Sequence, residues 1–150
     1  MEISTLIAAA RGEIPADLLI TDARVVNVFS GQISSGQIAV KDGHIVGGGD
    51  YEAENTVSVN GAFVCPGFID AHVHIESAMT SVSEFVRAVL PRGVTTAVAD
   101  PHEIANVLGT DGIACMLAAA EKQPMNIYFA LPSCVPATDM ETAGAVLDAV

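Results

Sequence analysis

Positive charge is scarce in this chain. Six lysines and arginines stand against eighteen acids, a formal net charge of −12 over 150 residues. Such a surface repels polyanions, so neither nucleic acid nor an anionic membrane is an expected partner. Tryptophan is absent, and there are three cysteines, Cys65, Cys115 and Cys134. An odd, sparse set without metal-like spacing argues against a disulfide framework and suits a reducing, cytoplasmic compartment. No apolar run approaches the roughly 20 residues of a membrane-spanning helix. Glu2 and the short apolar run at residues 6–10 do not resemble a signal peptide. Apolar side chains are plentiful, at 51%, which suffices for one ordinary core.

Residues 1–15 have a weak helical cast. From Ala16 the pattern turns to short β segments. Residues 18–20 and 24–29 read as strands, and Ser30-Gly31 as a turn. Lys41-Asp42-Gly43 sits between apolar runs at 37–40 and 44–46, which signals a hairpin. Gly47-Gly48-Gly49 lacks a following helix and a Lys-Ser/Thr pair, so it reads as a turn rather than a phosphate loop. Residues 56–59 alternate as a further strand. Residues 1–62 therefore form a small β domain, in which His44 is a surface side chain.

Residues 63–150 form a second domain. Their pivot is Pro66-Gly67-Phe68-Ile69-Asp70-Ala71-His72-Val73-His74-Ile75-Glu76-Ser77. In an extended strand alternate side chains share a face, so His72 and His74 point the same way. Their Cα atoms would lie roughly 6–7 Å apart, close enough for two imidazoles to hold one metal ion. Asp70 has the same parity and could orient an imidazole from behind. Val73 and Ile75 face the other way, towards a helix.

After this strand the period becomes helical. Ser81-Val82-Ser83-Glu84 reads as a capping box, with Ser and Glu both satisfying end N–H groups. Val82, Phe85, Val86, Val89 and Leu90 make one apolar face, and Pro91 and Gly93 stop the helix. Residues 94–99 are a β-branched buried strand. A second helix runs over 111–122 with Met116 in its core face. Residues 126–131 are a third strand, and 140–150 begin another helix. The alternation predicts a parallel α/β sheet with helical crossovers.

In such folds chemistry gathers at the carboxyl ends of strands. Three ends occur: His72/His74/Glu76, Asp100/His102/Glu103, and Ser133/Cys134. Each residue also has a plain reading. Glu76 could be a solvated carboxylate, Asp100 a turn cap before Pro101, and His102-Glu103 the first turn of a helix. Cys134 reads as a small packed residue rather than a nucleophile.

Pro-Gly-Phe-Ile-Asp-x-His-x-His resembles the first barrel strand of the amidohydrolase superfamily. The wider set, His72 to Ser77, Ala99-Asp100-Pro101-His102-Glu103-Ile104-Ala105-Asn106-Val107 and Leu131-Pro132-Ser133-Cys134-Val135-Pro136-Ala137-Thr138, resembles the adenine deaminases within it. The resemblance implies a small amino-terminal β-sandwich segment, completed by later chain. The first three βα units of a metal-dependent (β/α)8 barrel follow. It implies an enzyme of purine metabolism that hydrolyses adenine to hypoxanthine and ammonia. It also implies a binuclear manganese or iron centre and a homo-oligomer for the longer protein. A metal lowers the pKa of bound water to about 7; the resemblance has the resulting hydroxide attack C6, with a carboxylate carrying the proton to the leaving amine. His72 and His74 carry over as ligands; Glu76, Asp100, His102 and Glu103 are catalytic or pocket candidates. The remaining ligands belong to later strands, so the 150 residues alone are expected to be inactive. Another amidohydrolase, acting on a cyclic amide or amino sugar, and a non-catalytic fragment are the alternatives.

Overall fold

The computed structural model describes residues 2–132 and 134–147. The chain separates into two compact units, Met1–Pro66 and Gly67–Val150.

The first unit opens with helix α1 (Ile3–Ala10). One five-stranded sheet follows, made from β1 (Ala16–Val26), β2 (Ile33–Lys41), β3 (His44–Gly47), β4 (Ala53–Ser58) and β5 (Phe63–Val64). The two strands expected at 18–20 and 24–29 are one, β1. Its register with β2 shifts between Ile20 and Ala23, where Asp22 adopts a positive φ of 55°. An extra residue of this kind is a β-bulge, which twists a strand without ending it. Residues 28 and 29 are not strand: the Asn27 side chain accepts the N–H groups of Phe29 and Ser30 and starts a turn. The hairpin between β2 and β3 closes at Asp42-Gly43, both left-handed, as that dipeptide favours. The unit's domain edge falls after Pro66 rather than after residue 62, because β5 pairs in parallel with β1 through Arg24 and Phe63. Ala16, Leu19 and Ala39 form the buried centre, with Val46, Tyr51 and Ala53 packed against it. The described residues of this unit make one mixed sheet and one helix, as a segment of a larger sandwich would.

The second unit is parallel. Strands β6 (Phe68–Val73), β7 (Val94–Ala99) and β8 (Asn126–Phe129) lie in the order β6-β7-β8. Helix α2 (Val82–Val89) joins the first two. Ser81 caps it by accepting the Glu84 N–H, a contact worth about 1 kcal/mol. The other half of the capping box is not made, because the Glu84 carboxylate pairs with Arg87 one turn on. Val82, Phe85 and Val86 bury the predicted face against Ile75, Ala97 and Ala99. Each large side chain so buried contributes about 1.5–3 kcal/mol.

Helix α3 (His102–Ala120) begins well before the expected residue 111. Its early buried positions are Ala105 and Gly109, too small to register as an apolar stripe. Gly109 is non-helical, with φ 61° and ψ −141°, and divides α3 into two lengths. Glycine is required there, since other residues rarely adopt such angles. By length and composition α3 could cross a membrane, yet its Met116 packs in the core.

Two expectations fail beyond β8. Residues 140–147 make turns and bends rather than a helix; residues 148–150 lie outside the described set. The segment instead docks on α3: the Gly144 and Ala145 N–H groups donate to the Asn106 carbonyl at 2.7 and 3.1 Å. A methyl group on Gly144 would sit 2.5 Å from the Val107 carbonyl oxygen, so the approach needs glycine. The described residues thus hold two βα units and a third strand, not three complete units. Cys134 is exposed rather than packed, because the chain has left the sheet after Phe129. Ser133 lies outside the described residues.

Candidate metal centre

Strand β6 carries His72, and His74 follows one residue past its end. Their Nε2 atoms are 3.0 Å apart, with ring centroids separated by 4.9 Å and planes inclined at 73°. Asp100 follows β7. Its backbone N–H donates to the Val73 carbonyl at 2.9 Å, which carries the parallel pairing past the strand end. One ligand atom from each of His72, His74 and Asp100 lies within 4.8 Å of the other two. Ile75, fully buried on the opposite face, anchors the segment in the core. The strand alternation that predicts shared imidazole direction is therefore realised in space.

Behind His74 stands Glu103, in the first turn of α3. Its Oε2 accepts from His74 Nδ1 at 2.9 Å, and its Oε1 accepts from the Ser77 hydroxyl at 2.6 Å. Burial alone would raise the Glu103 carboxyl. The hydrogen bonds from Ser77, the Glu103 backbone N–H and His74 outweigh it and hold the group below the usual glutamate range. An ionised carboxylate at Nδ1 keeps that nitrogen protonated, so Nε2 of a neutral His74 presents its lone pair.

Asp70 does not orient an imidazole. Its Oδ1 accepts the backbone N–H of His72 at 3.2 Å, and Glu103 has the role at the ring. Glu76 Oε1 accepts the Ile104 N–H at 3.2 Å, one of the open donors at the start of α3. Its Oε2 is buried without a hydrogen-bond partner. His102 sits outside the cluster, its Nε2 3.2 Å from Asn106 Nδ2 one turn along the helix. His44 is exposed, with Nδ1 2.8 Å from the Asp42 carbonyl oxygen. Ser77 carries no signal in the sequence beyond a hydroxyl directly after Glu76.

The donor set fits a divalent cation. Two imidazoles and a carboxylate suit a divalent first-row metal such as zinc, manganese or iron. Asp100 Oδ1 is buried with no hydrogen-bond partner, and a buried acceptor left open in this way is costly unless something else satisfies it. An open groove of about 500 Å³ bordered by Thr21, Asp22, Arg24 and Gln37 belongs to the first unit and contains none of these ligands.

Comparison with known proteins places the chain in a family. The chain is 56% identical over 147 residues to adenine deaminase 2 of Carboxydothermus hydrogenoformans, covering 98% of this chain and 26% of that protein. It is 55% identical over 143 residues to the adenine deaminase of Geobacillus kaustophilus, covering 95% and 25% respectively. The chain thus spans about a quarter of the length of these curated relatives. A crystal structure of an adenine deaminase superposes with a TM-score of 0.57 at 24% identity, over 76% of this chain and 30% of that one. That likeness supports the fold, a barrel of which only part is present here. Residues 63–149, which include β6, the two histidines, Asp100 and Glu103, match the amidohydrolase family, and the chain belongs to that family.

Proposed function

We propose that this chain supplies the first metal-ligand strand of a hydrolase that deaminates adenine to hypoxanthine and ammonia. The observation that carries the metal chemistry is the meeting of His72, His74 and Asp100 at the ends of two adjacent parallel strands. The substrate follows from relatives named adenine deaminases at 56% and 55% identity.

His72 and His74 would hold the metal through Nε2, with Asp100 as an additional oxygen donor. When bound, the metal activates water at neutral pH and stabilises charge that develops on the purine ring. Glu103 keeps the proton of His74 on Nδ1 and fixes the plane of its ring. Glu76 holds the first turn of α3, and so Glu103, in register with the strand end. Its buried, unpartnered Oε2, and His102 beside Asn106, are the groups offered for proton movement at the substrate. We further propose a binuclear manganese or iron centre; the nitrogen and oxygen donors support a metal of that class. The scarcity of cysteine supports a cytoplasmic setting. A homo-oligomer is the expected assembly of the longer protein.

The test is an ammonia-release assay of the metal-loaded full-length protein with adenine. Turnover of adenine is the expected result. Intact adenine together with hydrolysis of a cyclic amide would replace this reading with that of another amidohydrolase.

A further inference from the structure

We infer that Ser77 is a positioning residue for the metal centre, acting on His74 through Glu103. The inference rests on the metal-binding reading above. Ser77 lies on a single 3-10 turn, Glu76–Ala78, that follows β6. Its hydroxyl donates to Glu103 Oε1 at 2.6 Å, while Glu103 Oε2 accepts the hydrogen bond of His74 Nδ1–H at 2.9 Å. Each carboxylate oxygen therefore has its own donor.

The division matters because a glutamate side chain has three rotatable bonds. One hydrogen bond leaves the carboxylate free to swing about that contact, and two fix its plane. With the plane fixed, the His74 ring is held in one orientation and one tautomer, with Nε2 left for the metal. The neighbouring residue reinforces the arrangement. Glu76 Oε1 accepts the Ile104 N–H, so two consecutive residues of the turn grip two consecutive residues of α3. The Met79 N–H donates to the Glu76 carbonyl at 2.7 Å and closes the turn, which sets where the Ser77 hydroxyl points.

Ser77 is exposed, so removing its hydroxyl leaves no buried cavity. Its effect on the fold should be small and its effect on the metal large. The experiment uses the full-length protein in four forms: parent, Ser77→Ala, Ser77→Thr and His74→Ala. Manganese affinity is measured by chelator competition, the absorption spectrum of the cobalt-substituted protein is recorded, and thermal melts check folding.

Loss of an outer hydrogen-bond partner typically weakens metal binding by about 10–100-fold. Ser77→Ala is expected to bind manganese about 10-fold more weakly, with a shifted cobalt spectrum and an unchanged melt. Ser77→Thr, which restores the hydroxyl, is expected to recover both. If His74→Ala loses metal while Ser77→Ala stays within twofold of the parent, the Ser77 inference is overturned and the metal reading stands. Failure of Ser77→Thr to recover affinity also overturns it. If His74→Ala keeps its metal, the metal reading falls and the inference falls with it.

Discussion

Glu103 stands 2.9 Å from Nδ1 of His74, while the other nitrogen of that ring meets Nε2 of His72 at 3.0 Å. One imidazole thus links the first turn of α3 to the end of β6. Glu103→Gln keeps an acceptor for Nδ1–H but removes the charge, and Glu103→Ala removes both. Metal titration of the full-length protein should show about 10-fold weaker binding for the first and up to about 100-fold for the second. Equal affinity in both variants would refute the role given to the carboxylate.

His72→Ala combined with His74→Ala should abolish metal content and adenine turnover together. Elemental analysis and ammonia release are the two measurements. A double variant with its full metal complement would show that the ligands lie elsewhere.

Gly109→Ala should destabilise the protein by about 1–3 kcal/mol, the usual cost of forcing a side chain into a sparsely populated backbone region. The new methyl would also approach Ala145 Cβ to 3.2 Å. Urea denaturation measures the difference, and an unchanged midpoint would mean that the break in α3 relaxes at no cost.

Asp17 and Lys41 form an ion pair in the first unit. The hydrogen bond from Lys41, with another from the Asp42 N–H, lowers the Asp17 carboxyl, and the same contact raises Lys41. The Asp17 contribution is present above its unfolded value and is lost as the pH falls through its folded one. That of Lys41 is present below its unfolded value and is lost as the pH rises through its raised one. Melting temperatures of parent and Asp17→Asn should therefore differ near neutrality and converge in acid and in strong alkali. Added salt should shrink the gap. A difference that persists unchanged at low pH would rule the pair out as its source.

Residues 1–150 expressed alone, with manganese or iron, should not turn over adenine. Asp100 brings the candidate ligands to three, but the three-stranded sheet leaves edges and helix faces that a closed barrel would cover. A rate comparable with the full-length protein would show that three strand ends suffice.

Much of the second unit is legible in its sequence. The His-x-His spacing, the five-residue apolar face of α2 and the β-branched run of β7 are local, periodic signals, and each element forms where they place it. What could not be read depends on contacts between distant residues. Asp70 shares parity with the histidines, yet Glu103 reaches the ring from 29 positions away. Residues 140–147 have helical composition, but two N–H groups find the Asn106 carbonyl instead. The β-bulge in β1 is visible only once β2 is beside it, because an irregular strand and two short strands give nearly the same pattern.

The break at Gly109 has a mechanical consequence. An unbroken α-helix moves as a rod, so a shift at one end is delivered to the other. In α3 the portion that packs Met116 into the core and the portion that carries Glu103 are separated by a non-helical residue. The two portions can therefore follow different axes, so the first turn, with Glu103 and the core-packed Ile104, is set in place separately from the length that packs Met116.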